Sequence, residues 1–304
     1  MKKIDAHLHL ANPVAGYCRR GESRAIGGGK AQWGNGEIFQ LFPVELGDMT
    51  FTAEDALEKC MKPNGVDKAV LMSGSMYGFQ NQYHKLLLEK YPDTFCPSCT
   101  IDPFMTNYKE AIKRFMEEDG FHLAKFEVSS GGGLMGCHDP FDLAGDEMMY
   151  IYKTVEEHKG VVALDVGDIA MASHQPWSIM EIARKCPDLK VVVCHLLAPT
   201  RGWEREWKLS LELLNLPNVW FDIAAIPKIM APDEYPYPVA AEYLQMAKEI
   251  LTAKKFMWGT DAPFAATQDT YEHLTDYLFK NGAFTEEELE DVYYNNAELV
   301  YFSK

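Results

Sequence analysis

The stretch His7-Leu8-His9 sets two imidazoles two residues apart. On a β-strand both rings point to the same face, and two neutral imidazoles on one face can share a cation. Two hydrogen-bonded histidines near a strand end would have the same spacing. Asp261 closes the run Met257-Trp258-Gly259-Thr260-Asp261. A carboxylate at a strand tip can ligate a metal with one oxygen and take a proton from water with the other. It can equally cap the segment that follows. His195 ends the apolar run Val191-Val192-Val193-Cys194, which suits an acid/base or ligand-supporting histidine and also a satisfied core histidine. Lys125 and Glu127 end a fourth apolar run and Asp165 a fifth. Groups of these types are costly to bury unless they bind something.

These residues need elements that bring them to one place. Eight short apolar runs are visible: Lys3–Leu10, Asp67–Met72, Thr94–Ile101, Phe121–Val128, Val161–Val166, Leu189–Leu196, Asn218–Ile223 and Lys255–Asp261. Amphipathic stretches fall between them: Ala53–Met61, Gln80–Lys90, Tyr108–Glu118, Asp142–His158, Pro176–Lys185, Trp203–Leu214, Val239–Ala253 and Thr270–Phe279. Apolar strands alternating with helices predict a buried parallel sheet. Eight repeats predict a single α/β domain over 1–304, a (β/α)8 TIM barrel, with chemistry at the C-terminal strand ends. A doubly wound sheet is the alternative. Ala11–Thr50 is too long for a connection and reads as a loop insertion over the barrel mouth. Ser129–Cys137, with three consecutive glycines, reads as a turn or hinge, or else as a phosphate nest. Thr285-Glu286-Glu287-Glu288 is a capping box that opens a last, extra helix.

Composition narrows the partners. The 304 residues carry 29 Lys and Arg against 45 Asp and Glu, a net charge of −16. That charge disfavours nucleic acid and anionic membrane surfaces, but not a small anionic substrate, which one buried cation or metal can hold. No run approaches the ~20 apolar residues of a membrane span. The start of the chain lacks the apolar core of a secretory signal. The seven cysteines are odd in number. Together these predict a cytoplasmic protein with reduced thiols. Cys96-Pro97-Ser98-Cys99 has redox or zinc spacing, but no second pair accompanies it, so buried strand thiols are expected. A homodimer is the default assembly.

The stretches Ile4-Asp5-Ala6-His7-Leu8-His9, Cys186 through His195, Asn218-Val219-Trp220-Phe221-Asp222, Trp258-Gly259-Thr260-Asp261 and Asn295 through Tyr301 occur in that order. The set resembles the amidohydrolase superfamily. Within it, the match is to the amidohydrolase-related family of aminocarboxymuconate-semialdehyde decarboxylase and several lactonases. The resemblance implies a (β/α)8 barrel holding one divalent ion. His7, His9 and Asp261 then match metal ligands, and Asp261 also matches the proton acceptor for the hydrolytic water. His195 matches the acid/base or substrate-contacting histidine. One departure stands out. The fifth strand in such proteins usually ends in histidine, and here it reads Ala163-Leu164-Asp165. Asp165 can still ligate, and its oxygen moves preference toward Mn, with Zn still open. The other outcome is a weakened or metal-free site.

Several residues are candidate substrate contacts. His174 lies nine residues beyond Asp165 and meets substrate or merely solvent. In binuclear members of the superfamily a carboxylated lysine bridges two metals at the fourth strand. The smaller family uses one metal, so Lys125 is expected to be a structural or substrate-contacting cation. Arg201, or Arg19, Arg20 and Arg24 in the insertion, can clamp a substrate carboxylate. The leading expectation is therefore a metal-dependent hydrolase attacking a lactone, ester or amide of a small carboxylate-bearing substrate. The alternatives are a non-oxidative, metal-dependent decarboxylase of an aromatic or unsaturated acid, and a catalytically silent ligand-binding barrel.

Overall fold

A computed structural model of the chain describes residues 1–303. Each of the eight apolar runs contributes one strand. These are β1 (Ile4–His9), β6 (Lys68–Met72), β7 (Phe95–Cys99), β8 (Leu123–Glu127), β9 (Val161–Asp165), β10 (Lys190–Val193), β11 (Val219–Asp222) and β12 (Phe256–Met257). They pair in that order, all parallel. Ala6 N donates to Trp258 O at 2.9 Å and His9 N to Ala262 O at 2.8 Å, carrying the ring from last strand to first. Gly259 permits that closure, because a Cβ there would stand 2.9 Å from His7 Cβ and backbone N.

The interior of the barrel is graded. Toward the N-terminal strand ends, Ile4, Val70, Leu123, Val161, Val192 and Met257 form one apolar cluster with Ala297, Val300 and Tyr301 of the C-terminal segment. Thr285 opens that segment with the expected capping box, and it closes the bottom of the barrel. Ionisable residues therefore gather at the other end. The helices follow the predicted periodicity. Tyr108–Glu117, for example, buries Ile112, Phe115 and Met116, one stripe at helical spacing. Among the described residues no helix is long and apolar enough to cross a membrane. Cys96 and Cys99 are both buried in β7, as expected of strand thiols.

Three features differ from the sequence reading. The insertion is a small antiparallel sheet, with strands β2 (Gly16–Cys18), β3 (Gly21–Gly27), β4 (Lys30–Trp33) and β5 (Ile38–Gln40). Its glycine clusters are the turns between these short strands, and Trp33 and Phe39 stack with ring centroids 5.5 Å apart. The helix expected from Asp142 starts at Asp146, because Asp142 folds a turn and accepts from Ala144 N. The sixth and eighth strands end early. His195 and Asp261 have φ of 56° and 60°, so each side chain is presented from a left-handed turn just past its strand.

Candidate active site

His7 and His9 leave β1 on the same face, and their Nε2 atoms stand 3.1 Å apart. Asp261 Oδ1 lies 3.1 Å from His9 Nε2 and 3.8 Å from His7 Nε2. The outer nitrogens fix the tautomers. His7 Nδ1 donates to the buried Asp222 carboxylate at 3.1 Å, and His9 Nδ1 donates to Met72 O at 2.8 Å. Burial pushes the His9 imidazole down to about 4, so its Nε2 is a bare lone pair at neutral pH. The Nε2 atoms of His7 and His9 and a carboxylate oxygen of Asp261 thus face one another. Two imidazole nitrogens and a carboxylate oxygen converging in this way fit a cation at their centre. Tetrahedral zinc with Zn–N bonds of about 2.0–2.1 Å would hold two nitrogens roughly 3.3 Å apart, close to the separation found.

Across the mouth, His195 stacks on His7 with centroids 4.6 Å apart. Ligand atoms of His7, His195 and Asp261 all lie within 4.8 Å of one another. His195 Nδ1 donates to Ala224 O at 3.0 Å, and its Nε2 stands 3.5 Å from Asp165 Oδ2. Burial would lower this imidazole, but Asp165, Asp222 and Asp261 outweigh it and raise it to about 10. His195 is accordingly a cation in the metal-free protein. Asp165 Oδ2 also lies 3.7 Å from Lys125 Nζ. Against a burial effect that would raise it, His195 and Lys125 hold the Asp165 carboxyl well below the usual carboxylate range. Glu127 accepts from Ser75 N at 2.6 Å, and burial pushes its carboxyl up.

Two cavities meet over these groups, sharing Asp165, His195, Asp261 and Phe264. The flap-side one, about 460 Å³, is walled by Trp33, Phe39 and Tyr77, with Lys125 and Glu127 at its floor. The other, about 630 Å³, includes Arg201 and Lys228. The structure therefore brings His7, His9, Lys125, Asp165, His195 and Asp261 together, with Arg201 at the rim. His174 lines neither cavity; it sits in the 168–175 turn, near Gly167. Arg19 reaches His138 O and Arg24 reaches Ser23 O, while Arg20 lines the flap-side cavity. The three glycines at 131–133 make a turn in which Gly132 N and Gly133 N both donate to Ser129 Oγ.

In the sequence Asp222 shows only as part of a motif; the structure gives it a role. Besides His7 Nδ1, its carboxylate accepts from His195 N at 2.9 Å and Ala224 N at 3.1 Å. One side chain thus fixes a candidate ligand's tautomer and the turn carrying His195. Asp222→Asn offers one acceptor oxygen where three donors point at two. Metal affinity should fall by about 10- to 100-fold, read by titration against a chelator; wild-type affinity in the variant would refute this role.

Comparison with known proteins identifies the family and matches the fold. The amidohydrolase family profile matches residues 4–302. The chain belongs to the amidohydrolase family. Among solved structures, it is similar to a probable 2-pyrone-4,6-dicarboxylic acid hydrolase from Acinetobacter baumannii with citric acid bound, at 18% identity and TM-score 0.71, covering 100% of both chains. A zinc-bound amidohydrolase from Burkholderia multivorans superposes with TM-score 0.73 at 13% identity, again over 100% of both chains. A 2,6-dihydroxybenzoate decarboxylase bound to 2,6-dihydroxybenzoate gives TM-score 0.60 at 14% identity, over 83% of this chain and 89% of that one. No curated protein sequence matches.

Proposed function

We propose that this protein is a mononuclear metal-dependent hydrolase that opens a lactone, ester or amide of a small carboxylate-bearing compound. The observation that carries the reading is the convergence of His7 Nε2, His9 Nε2 and Asp261 Oδ1 with their outer nitrogens already committed. We assign His7, His9 and Asp261 as ligands and Asp165 as the fourth donor. Two neutral imidazoles and two carboxylates formally neutralise a divalent ion, and the oxygen donors suit Mn or Zn. Such an ion supplies Lewis acidity toward a carbonyl.

The chain's own groups do the rest. Asp261 accepts the proton of the attacking water. His195, held by Ala224 O and Asp165, is placed to pass a proton to the departing oxygen of a lactone or ester or the departing nitrogen of an amide. Trp33, Phe39 and Tyr77 cover a flat part of the substrate and keep bulk water away. Those aromatic walls also favour a second reading, decarboxylation of an aromatic acid, in which His195 would deliver its proton to carbon instead.

The test is elemental analysis of protein purified without chelator, followed by assay on 2-pyrone-4,6-dicarboxylate, simple lactones and 2,6-dihydroxybenzoate. About one Mn or Zn per chain, with chelator-sensitive ring opening, is expected. Release of CO2 without ring opening would establish the second reading. A wild-type chain that takes up no divalent ion would refute both.

A further inference from the structure

We infer that Lys228 is the residue that binds a carboxylate of the substrate, on the side of the mouth away from the flap; this rests on the hydrolase reading above for the reaction but not for the binding. Four cationic side chains of lysine or arginine line the two cavities, and three are already engaged. Arg20 Nη1 is 3.1 Å from Glu37 Oε1. Lys125 Nζ faces Asp165 Oδ2 at 3.7 Å. Arg201 Nη2 donates to Met230 O and Pro232 O. Lys228 is different. Among the described residues no carboxylate lies within 4.0 Å of its Nζ, which sits instead over the Phe264 ring, 3.0 Å from the centroid.

The position is built rather than incidental. Ala225, at φ 58°, turns the chain after β11 into the short helix Ile226–Ile229. Arg201 bonds the carbonyls just beyond that helix and so braces it. The ammonium is half-buried; burial pushes its pKa down, only partly offset by the Asp261 carboxylate of the same cavity, which makes no ion pair with it. A ring face returns only part of the hydration lost on burial, and buried charges in proteins are normally paired. The missing partner is therefore supplied by a ligand. The cavity that holds Lys228 also holds Asp165, His195 and Asp261, so a molecule anchored there presents its other end to the proposed reacting groups. The predicted substrate has a flat carbonyl-bearing part under Trp33 and Phe39 and a carboxylate reaching Lys228.

The probe is isophthalate, titrated calorimetrically into the zinc-loaded full-length protein beside its uncharged diamide. Wild type should bind isophthalate in preference to the diamide. Lys228→Met should weaken isophthalate binding about tenfold or more and leave diamide binding unchanged. Lys228→Arg should retain most of the isophthalate affinity. Equal thermal midpoints for the three proteins show that each is folded. Equal isophthalate affinity in wild type and Lys228→Met, or no binding by wild type, overturns the assignment. Lys228-dependent binding in a protein that hydrolyses nothing leaves the anchor standing and overturns the hydrolase reading instead.

Discussion

Asp261→Asn should lower kcat by about a thousandfold or more while leaving the protein folded. The two halves of that result come from the same geometry. Asp261 has φ 60°, a conformation that asparagine adopts more readily than other residues with side chains of its size, so the turn survives. In the metal-free protein Asp261 Oδ1 faces His9 Nε2 at 3.1 Å. An asparagine NH2 can donate to that nitrogen and keep the contact. On the proposed reading the variant has nevertheless lost a ligand charge and the group that takes a proton from water. Thermal midpoints with and without zinc make the prediction separable from misfolding. Wild type should rise with zinc, because a ligand bound only by the folded state stabilises it. The variant should rise much less. Retention of full turnover on any substrate found for the wild type would remove Asp261 from the reaction.

Much of this site could be read from side-chain type and strand register. His7 and His9 obey the period of two, and a single β1 orientation suffices to bring both inward. The eight apolar runs located the ring, because parallel strands buried on both faces carry a continuous apolar signal. The flap was less legible. Its strands are three to seven residues long, too short for alternation to stand out against two glycine-rich turns. The apolar runs alone put His195 and Asp261 at strand tips, whereas both lie in left-handed turns. Their conformation depends on partners remote in sequence, such as Asp222 accepting from His195 N across 27 residues. Lys228 carried no local signal at all. Its meaning comes from what is missing around it, and counter-charges across a cavity have no one-dimensional trace. Glu127 could be seen as a strand-end acid, but its backbone donor Ser75 lies in a loop with no motif.

Lys125→Met should destabilise the metal-free protein by about 3–5 kcal/mol, the range for removing one member of a buried charge pair. Lys125 is only 1% exposed, and its Nζ is 3.7 Å from Asp165 Oδ2. Burial alone would lower its pKa, yet Asp165 and Glu127 outweigh that and raise it. The ammonium is thus the fixed counter-charge of two carboxylates. Methionine fills similar volume but leaves Asp165 and Glu127 facing a cavity with only His195 opposite. The double variant Lys125→Met/Asp165→Asn removes both partners, so it should recover a large part of the loss, as a positive coupling in a denaturant cycle. Zinc should also recover stability in the single variant, since a divalent ion would replace some of the missing positive charge beside these carboxylates. This result would place Lys125 in the architecture of the site. If Lys125→Met proves as stable as wild type but binds isophthalate less tightly, its charge belongs to the substrate contact instead, and the mouth would hold two carboxylate anchors.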